Sequence, residues 1–146
     1  ADSGEIVVRG NTVAAGQLDS DGWLYTGDLG RLDEDGHLWI TGRLSDRIIT
    51  GGVNVDPLEV ERVLESLPWV EEAAVVGIPD SRWGERVVAA IVEDPNRASV
   101  PLDERDRRLR AELSPARRPR EFKGVPFLPR NRNGKVEREK VRAFFL

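Results

Sequence analysis

The chain has 146 residues, 39% hydrophobic and 33% charged, with no cysteine and one histidine. That length suits one ordinary domain, or a small domain with an appendage. Disulfides and thiolate metal sites are excluded, and His37 alone leaves no imidazole cluster for zinc. No apolar run approaches the ~20 residues of a membrane span. The first five residues, ADSGE, lack the basic-then-apolar pattern of a signal peptide, so the expectation is a cytoplasmic protein with no membrane span. The net charge of −4 conceals a polarity: residues 1–104 hold 21 acidic and 8 basic side chains (net −13), and residues 105–146 hold 5 and 14 (net +9). A basic segment of that kind points to an anionic partner, nucleic acid or nucleotide phosphate, or else to a solvated cationic face.

Residues 4–9 read as a short strand. Two Asp-x-Asp-Gly sequences follow, Asp19–Gly22 and Asp33–Gly36, and Asp-Gly supplies positive φ cheaply, so each should turn one strand into the next. Strands are expected at 23–26, 29–33, 37–41 and 47–50, forming a small meander. Alone, such a meander buries little, and its sheet should belong against something absent from this chain. Asp56-Pro57-Leu58-Glu59 is a helix start, with Asp56 as cap, Pro57 at the first helical position and Glu59 completing a capping-box-like pair. Val60, Val63, Leu64 and Leu67 then make one apolar stripe, stopped by Pro68.

Two apolar runs, 70–78 and 86–93, read as strands joined through Trp83-Gly84. A charged helix around 102–113 should carry Leu102, Leu109 and Leu113 inward. A last strand is expected at 120–127 and a terminal helix at 137–145. This predicts an α+β fold: a small mixed β-sheet with two or three covering helices from residue 46 onward, preceded by a short β-meander over residues 1–45.

Three positions suggest phosphate chemistry. Lys135 lies in a loop expected to be mobile and exposed, Pro129-Arg-Asn-Arg-Asn-Gly134-Lys135-Val136. It is not a P-loop lysine, because Pro129 and Val136 stand where glycine and Ser/Thr are needed. A flexible ammonium delivers a point charge to an anionic transition state, although taken singly it equals any surface lysine. Asp28, in Thr26-Gly27-Asp28-Leu29, has the chemistry to accept from two ribose hydroxyls, or simply to cap a turn. Arg43, after Gly42, suits a phosphate or ribose, or is a plain strand-end arginine. Ser45 and Asp46, between two strand runs, form a plausible joint.

Together, Tyr25-Thr-Gly-Asp28-Leu-Gly, Gly42-Arg43-Leu-Ser45-Asp46-Arg-Ile-Ile, Gly51-Gly52-Val-Asn54-Val-Asp-Pro57-Leu-Glu59-Val-Glu61 and Asn133-Gly134-Lys135-Val occur in one order. The series resembles the closing motifs of the adenylate-forming superfamily: acyl-CoA synthetases, nonribosomal-peptide adenylation domains and luciferases. The resemblance implies that residues 1–45 are terminal strands of a large ATP- and acyl-binding N-terminal domain. Residues 46–146 would be the mobile C-terminal domain of an AMP-forming ligase. Asp28 and Arg43 then contact the ATP ribose, Ser45 and Asp46 form the hinge, and Lys135 steadies the carboxylate and α-phosphate during adenylation. Ser45 departs from the Asp or Lys of many relatives.

The Gly51–Glu61 segment is similar to that of CoA ligases, which implies CoA contacts at Gly52, Asn54, Trp83 and Arg118. ATP and CoA are expected as substrates, with Mg2+ accompanying ATP and no metal ligand in this chain. The missing N-terminal domain and a carboxylate complete the partners. The Gly16–Asp21 segment and Ser45 are similar to o-succinylbenzoate-CoA ligases of menaquinone biosynthesis. The alternatives are a nonribosomal-type adenylation fragment loading a carrier protein and, remotely, a basic nucleic-acid module.

Overall fold

The computed structural model describes residues 4–96 and 100–146, with every side chain in them except those of Ala15 and Leu102. The chain divides after Asp46 into two units, each with its own sheet. In the first unit, strands β1 (Gly4–Val8), β2 (Leu24–Leu32) and β3 (Leu38–Arg43) form an antiparallel sheet in chain order.

The two Asp-x-Asp-Gly sequences adopt the same turn. Asp19 Oδ1 accepts from the Asp21 and Trp23 N–H groups, Asp33 Oδ1 from those of Asp35 and His37, and Gly22 and Gly36 take φ of 80° and 84°. Only the second joins paired strands. The first closes within the long β1–β2 connection, a correction to the expectation that each turns strand into strand. The strands expected at 23–26 and 29–33 are one strand, because Gly27 at φ 71° absorbs the break. Its N–H donates to Glu5 Oε1, keeping β2 attached to β1. Leu29 is buried, while Tyr25, Leu32, Leu38, Trp39, Ile40 and Leu44 are largely exposed.

The second unit is α+β. Strands β4 (Ile48–Thr50), β5 (Val53–Val55), β6 (Val70–Asp80), β7 (Gly84–Glu93) and β8 (Glu121–Gly124) form one mixed sheet in the order β5-β4-β7-β6, with β8 parallel to β7. The long β6–β7 hairpin is its spine. Alternation along these strands feeds two cores. Val75, Val87, Ala89 and Ile91 pack on one face against Val60 and Leu64 of helix α1 (Pro57–Glu65) and Leu109 of helix α2 (Leu102–Glu112). Val76, Ile78, Val88 and Ala90 pack on the other against Leu128, Phe145 and Val141 of helix α3 (Arg138–Arg142).

Leu109 and Leu113 point inward as expected; the Leu102 side chain lies outside the described residues. Asp56 caps α1 by accepting from Leu58 N–H, but Glu59 does not close a box: it lies 3.4 Å from Arg117. The last strand stops at Gly124. Val125 donates once more, to Ile91 C=O, and Pro126 has no N–H to continue. The terminal helix is five residues, its end continued by turns at Phe144 and Phe145. Strand β5 was not expected. Gly51 and Gly52, at φ 57° and 79°, make a two-residue hairpin turn between Thr50 and Val53. Among the described residues, no helix is long and apolar enough to cross a membrane.

Candidate functional site

In the first unit, Asp28 and Arg43 face each other across β2 and β3, and Arg43 Nε lies 2.8 Å from Asp28 Oδ1. Asp28 is oriented from behind. Its N–H donates to Thr26 Oγ1, which in turn donates to Ile6 C=O at 2.7 Å, so β1 holds the Thr26–Asp28 corner. The two predicted ribose ligands are thus adjacent. Ser45 and Asp46 share the turn that follows β3, where Ser45 Oγ donates to Asp46 Oδ1 at 3.4 Å.

Lys135 is exposed at the end of a tightly hydrogen-bonded turn. Asn131 organises it: its N–H donates to Lys135 C=O, its C=O accepts from Gly134, and its Oδ1 accepts from Asn133 and Lys135 N–H groups at 3.0 Å. Gly134 sits at φ 78°, and Arg130 donates to its carbonyl at 2.8 Å. The backbone on either side of Lys135 is thus tied to Asn131 and Arg130, where a loose loop was expected, and the exposed lysine side chain extends from that turn. Asn131 was missed in the sequence; Asn two residues before Asn-Gly is an Asx-turn signal.

Of the predicted CoA residues, Gly52, Asn54 and Trp83 lie together elsewhere, without Arg118. Trp83 lies in the β6–β7 turn, where Asp80 Oδ1 accepts from Arg82 and Trp83 N–H groups. Those bonds, Arg82's first, hold the Asp80 carboxyl below its ordinary value. Trp83 C=O accepts from Gly51 N–H at 2.8 Å, and the indole lies so close that a Cβ on Gly51 would sit 2.8 Å from Cε3. A Cβ on Gly52 would meet nothing within 4 Å. Asn54 is exposed on the same hairpin, opposite Ile49. The guanidiniums over the Trp83 ring are those of Arg120 (4.7 Å) and Arg82 (5.0 Å), not Arg118. Arg118 is half-buried, and its Nε is enclosed without a hydrogen-bond partner among the described residues.

Lys135 and Trp83 belong to opposite ends of the β6–β7 hairpin. Arg130, in the lysine turn, bonds Glu72 near the start of β6, whereas Asp80 at its end carries the Trp83 turn. The eight intervening steps span about 27 Å at strand rise.

The basic C-terminal segment is mostly spent internally. Arg105, Arg107, Arg108, Arg110, Arg117, Arg130, Arg138, Lys140 and Arg142 each pair with a carboxylate. Lys123 donates to Phe144 C=O. Of the other four cations in residues 105–146, Arg120 lies over the Trp83 ring and acts on the Asp80 carboxylate, while Arg118, just before β8, and Arg132 and Lys135, in the turn, pair with no carboxylate or carbonyl among the described residues.

One cluster was not singled out by sequence: Asp33, Asp35 and His37 bring donor atoms within 4.8 Å of one another. Asp33 is already committed, its Oδ2 accepting from Trp39 Nε1 at 2.7 Å and its Oδ1 from two backbone N–H groups. These bonds, the indole's first, lower its pKa and make it a turn-holding carboxylate.

The sequence profile of the AMP-binding enzyme C-terminal domain matches residues 59–135. A methyl-dioxo-octahydro-indenyl-propanoyl:CoA ligase of Mycobacterium tuberculosis is 43% identical over 97% of this chain and 30% of its own. A fatty acid–acyl-carrier-protein ligase, ScoC, of Streptomyces coeruleorubidus is 43% identical over 86% of this chain and 24% of its own. Among solved structures, the o-succinylbenzoate CoA synthetase of Bacillus subtilis, in complex with its acyl-adenylate intermediate, superposes with a TM-score of 0.83 at 36% identity, over 97% of this chain and 30% of that one. The chain thus spans about a third or less of the length of these relatives. With that profile match, these identities and the ordered motifs on one α+β frame, the chain belongs to the adenylate-forming, AMP-binding enzymes and carries their C-terminal domain.

Proposed function

We propose that this chain is the C-terminal portion of an ATP-dependent, AMP-forming acyl-CoA ligase. It works with an N-terminal domain that supplies the acyl pocket and the ATP-phosphate loop. The observation that carries this reading is Lys135: an ammonium with no partner among the described residues, on a turn whose backbone is hydrogen-bonded around Asn131. At ~4 Å and an effective dielectric near 20, it contributes roughly 4 kcal/mol of gross attraction to an anion. Asp28 and Arg43 hold the ATP ribose, Asp28 accepting from its hydroxyls and Arg43 donating, and residues 1–45, as terminal strands of the N-terminal domain, pack their exposed apolar side chains against the rest of it. Ser45 and Asp46 are the hinge at the start of the mobile C-terminal domain, residues 46–146.

The carboxylate attacks the α-phosphorus while Lys135 neutralises charge on both reactants; the acyl-adenylate forms and pyrophosphate leaves. Lys135 and Trp83 mark opposite ends of one rigid hairpin, so one active site uses them in turn. After adenylation the domain rotates about Ser45–Asp46. The end bearing Gly52, Asn54 and Trp83 then receives CoA, whose thiolate attacks the acyl carbon and expels AMP. Arg118, Arg120 and Arg82 supply cations for the CoA phosphates. Mg2+ accompanies ATP as a counter-ion, and no residue of this chain is assigned to it. The acyl substrate is carried by the missing pocket; o-succinylbenzoate and the bicyclic propanoate of the relatives are the first acids to assay. ATP and CoA are intracellular substrates, which supports a cytoplasmic location for the complete enzyme.

The test is Lys135→Ala in the complete enzyme. Adenylation, read as pyrophosphate release, should fall on the order of 10²–10³-fold, about 3 kcal/mol or more, as expected for one electrostatic donor. Thioester formation from supplied acyl-adenylate should stay within about twofold. Equal losses in both half-reactions overturn the assignment. A second acceptor is favoured by the carrier-protein ligase among the relatives. Thioester assays with CoA and with a phosphopantetheinylated carrier separate the two.

A further inference from the structure

Strand β6 is the end strand of its sheet, yet its outward polar groups are taken up by side chains. Ala73 N–H donates to Glu65 and Val75 N–H to Glu61 at 2.7 Å, while Val75 C=O accepts from Arg138 at 2.8 Å and Gly77 C=O from Arg142 at 3.3 Å. Two acids from α1 and two arginines from α3 stand where another strand would run, which closes an edge that would otherwise template pairing with a second chain.

Arg138 is the member of this set that can act at a distance. It holds Glu61 with both terminal nitrogens, at 2.5 and 3.1 Å, in surroundings that leave the two side chains 15% and 9% exposed. It lies three residues after Lys135. The link between them has little slack: Val136 bridges to Arg130 and packs on the α3 core, and Glu137 N–H donates to Pro129 C=O. The other tether of the turn, Arg130 to Glu72, is solvent-exposed and correspondingly weak. We propose that Arg138 is a positioning residue for Lys135. By clamping Glu61 and Val75 it fixes the direction in which the lysine turn leaves the domain, and so where the ammonium arrives at the nucleotide. The inference rests on the reading of Lys135 as the adenylation cation. A misplacement of about 1 Å costs on the order of 10²-fold in such a step.

The experiment uses the complete enzyme with Lys135→Ala, Arg138→Gln and Arg142→Gln, each assayed for adenylation and for thioester formation from supplied acyl-adenylate, with melting curves. Arg142 is the control: it caps the same edge from the same helix but lies a further turn from the lysine. Expected are a 10-fold or greater loss of adenylation for Arg138→Gln, thioester formation within about twofold, and both activities within about twofold for Arg142→Gln. Parallel loss of both half-reactions in Arg138→Gln, or unchanged adenylation while Lys135→Ala remains impaired, overturns the positioning role alone. Unimpaired adenylation in Lys135→Ala overturns the reading beneath it. If Arg138→Gln does not fold, Glu61→Gln takes its place, keeping an acceptor for Val75 while weakening the clamp. A threefold or greater loss confined to adenylation supports the role, and any other result rejects it.

Discussion

Arg43 Nε lies 2.8 Å from Asp28 Oδ1 across adjoining strands, and both side chains remain accessible to solvent. An exposed pair of this kind contributes about 1 kcal/mol or less to folding, so a ribose-binding role and a structural one can be told apart by experiment. In the complete enzyme, Asp28→Ala and Arg43→Ala should each raise the KM for ATP about 10- to 100-fold, the scale of a lost charge-assisted hydrogen bond. Melting temperatures should barely move. A large fall in stability with unchanged KM would assign the pair to the fold instead.

The Glu61–Arg138 pair should behave in the opposite way. Removing either partner leaves a buried charge uncompensated, a loss of about 3–5 kcal/mol. A double-mutant cycle by denaturant unfolding of the full chain should show coupling of roughly 2 kcal/mol or more. The same cycle on exposed Arg130–Glu72 should give about 1 kcal/mol or less.

Neighbouring glycines separate packing from ligand access. Gly51→Ala places a methyl 2.8 Å from the Trp83 ring at φ 57°, whereas Gly52→Ala meets only the strain of φ 79° in open space. Gly51→Ala should therefore cost more stability, about 2–3 kcal/mol against about 1. Gly52→Ala should raise the KM for CoA severalfold and leave pyrophosphate release intact. Equal stability losses with no CoA effect would remove Gly52 from the pantetheine path.

Acid should release the Trp83 turn. Backbone N–H groups of Arg82 and Trp83 lower the folded pKa of Asp80 beneath its ordinary 3.8. Its contribution is then full above that value and lost as pH falls through the lower, folded one. The melting difference between wild type and Asp80→Ala should be constant from about pH 5 upward and shrink below pH 3.8. Asp56 has the reverse sign: burial raises it, so its share declines as pH rises through the raised value. A difference that widens in acid would contradict the Asp80 geometry.

Much of the fold was legible because it is written in local rules. Asp56-Pro57 starts α1, the apolar runs became β6 and β7, and the two Asp-Gly turns form as their backbone preferences require. Strand β5 was legible too, in a Gly-Gly pair between apolar residues, but Gly52 was read as a CoA contact and not as a turn residue. The charge reading was incomplete because a count of arginines cannot show that Glu59, Glu61 and Glu72 lie opposite three of them.

By itself the order of residues determined which chemistry this chain offers: one lysine after Asn-Gly, one aspartate after Thr-Gly, an arginine after Gly42, in the arrangement of one enzyme family. Tertiary structure alone decided which of the many cations stay available. Ion pairing depends on distances between residues up to 77 positions apart, such as Arg138 and Glu61. It decided equally that Lys135 and Trp83 stand at opposite ends of one hairpin, because strand pairing converts separation along β6 into separation in space.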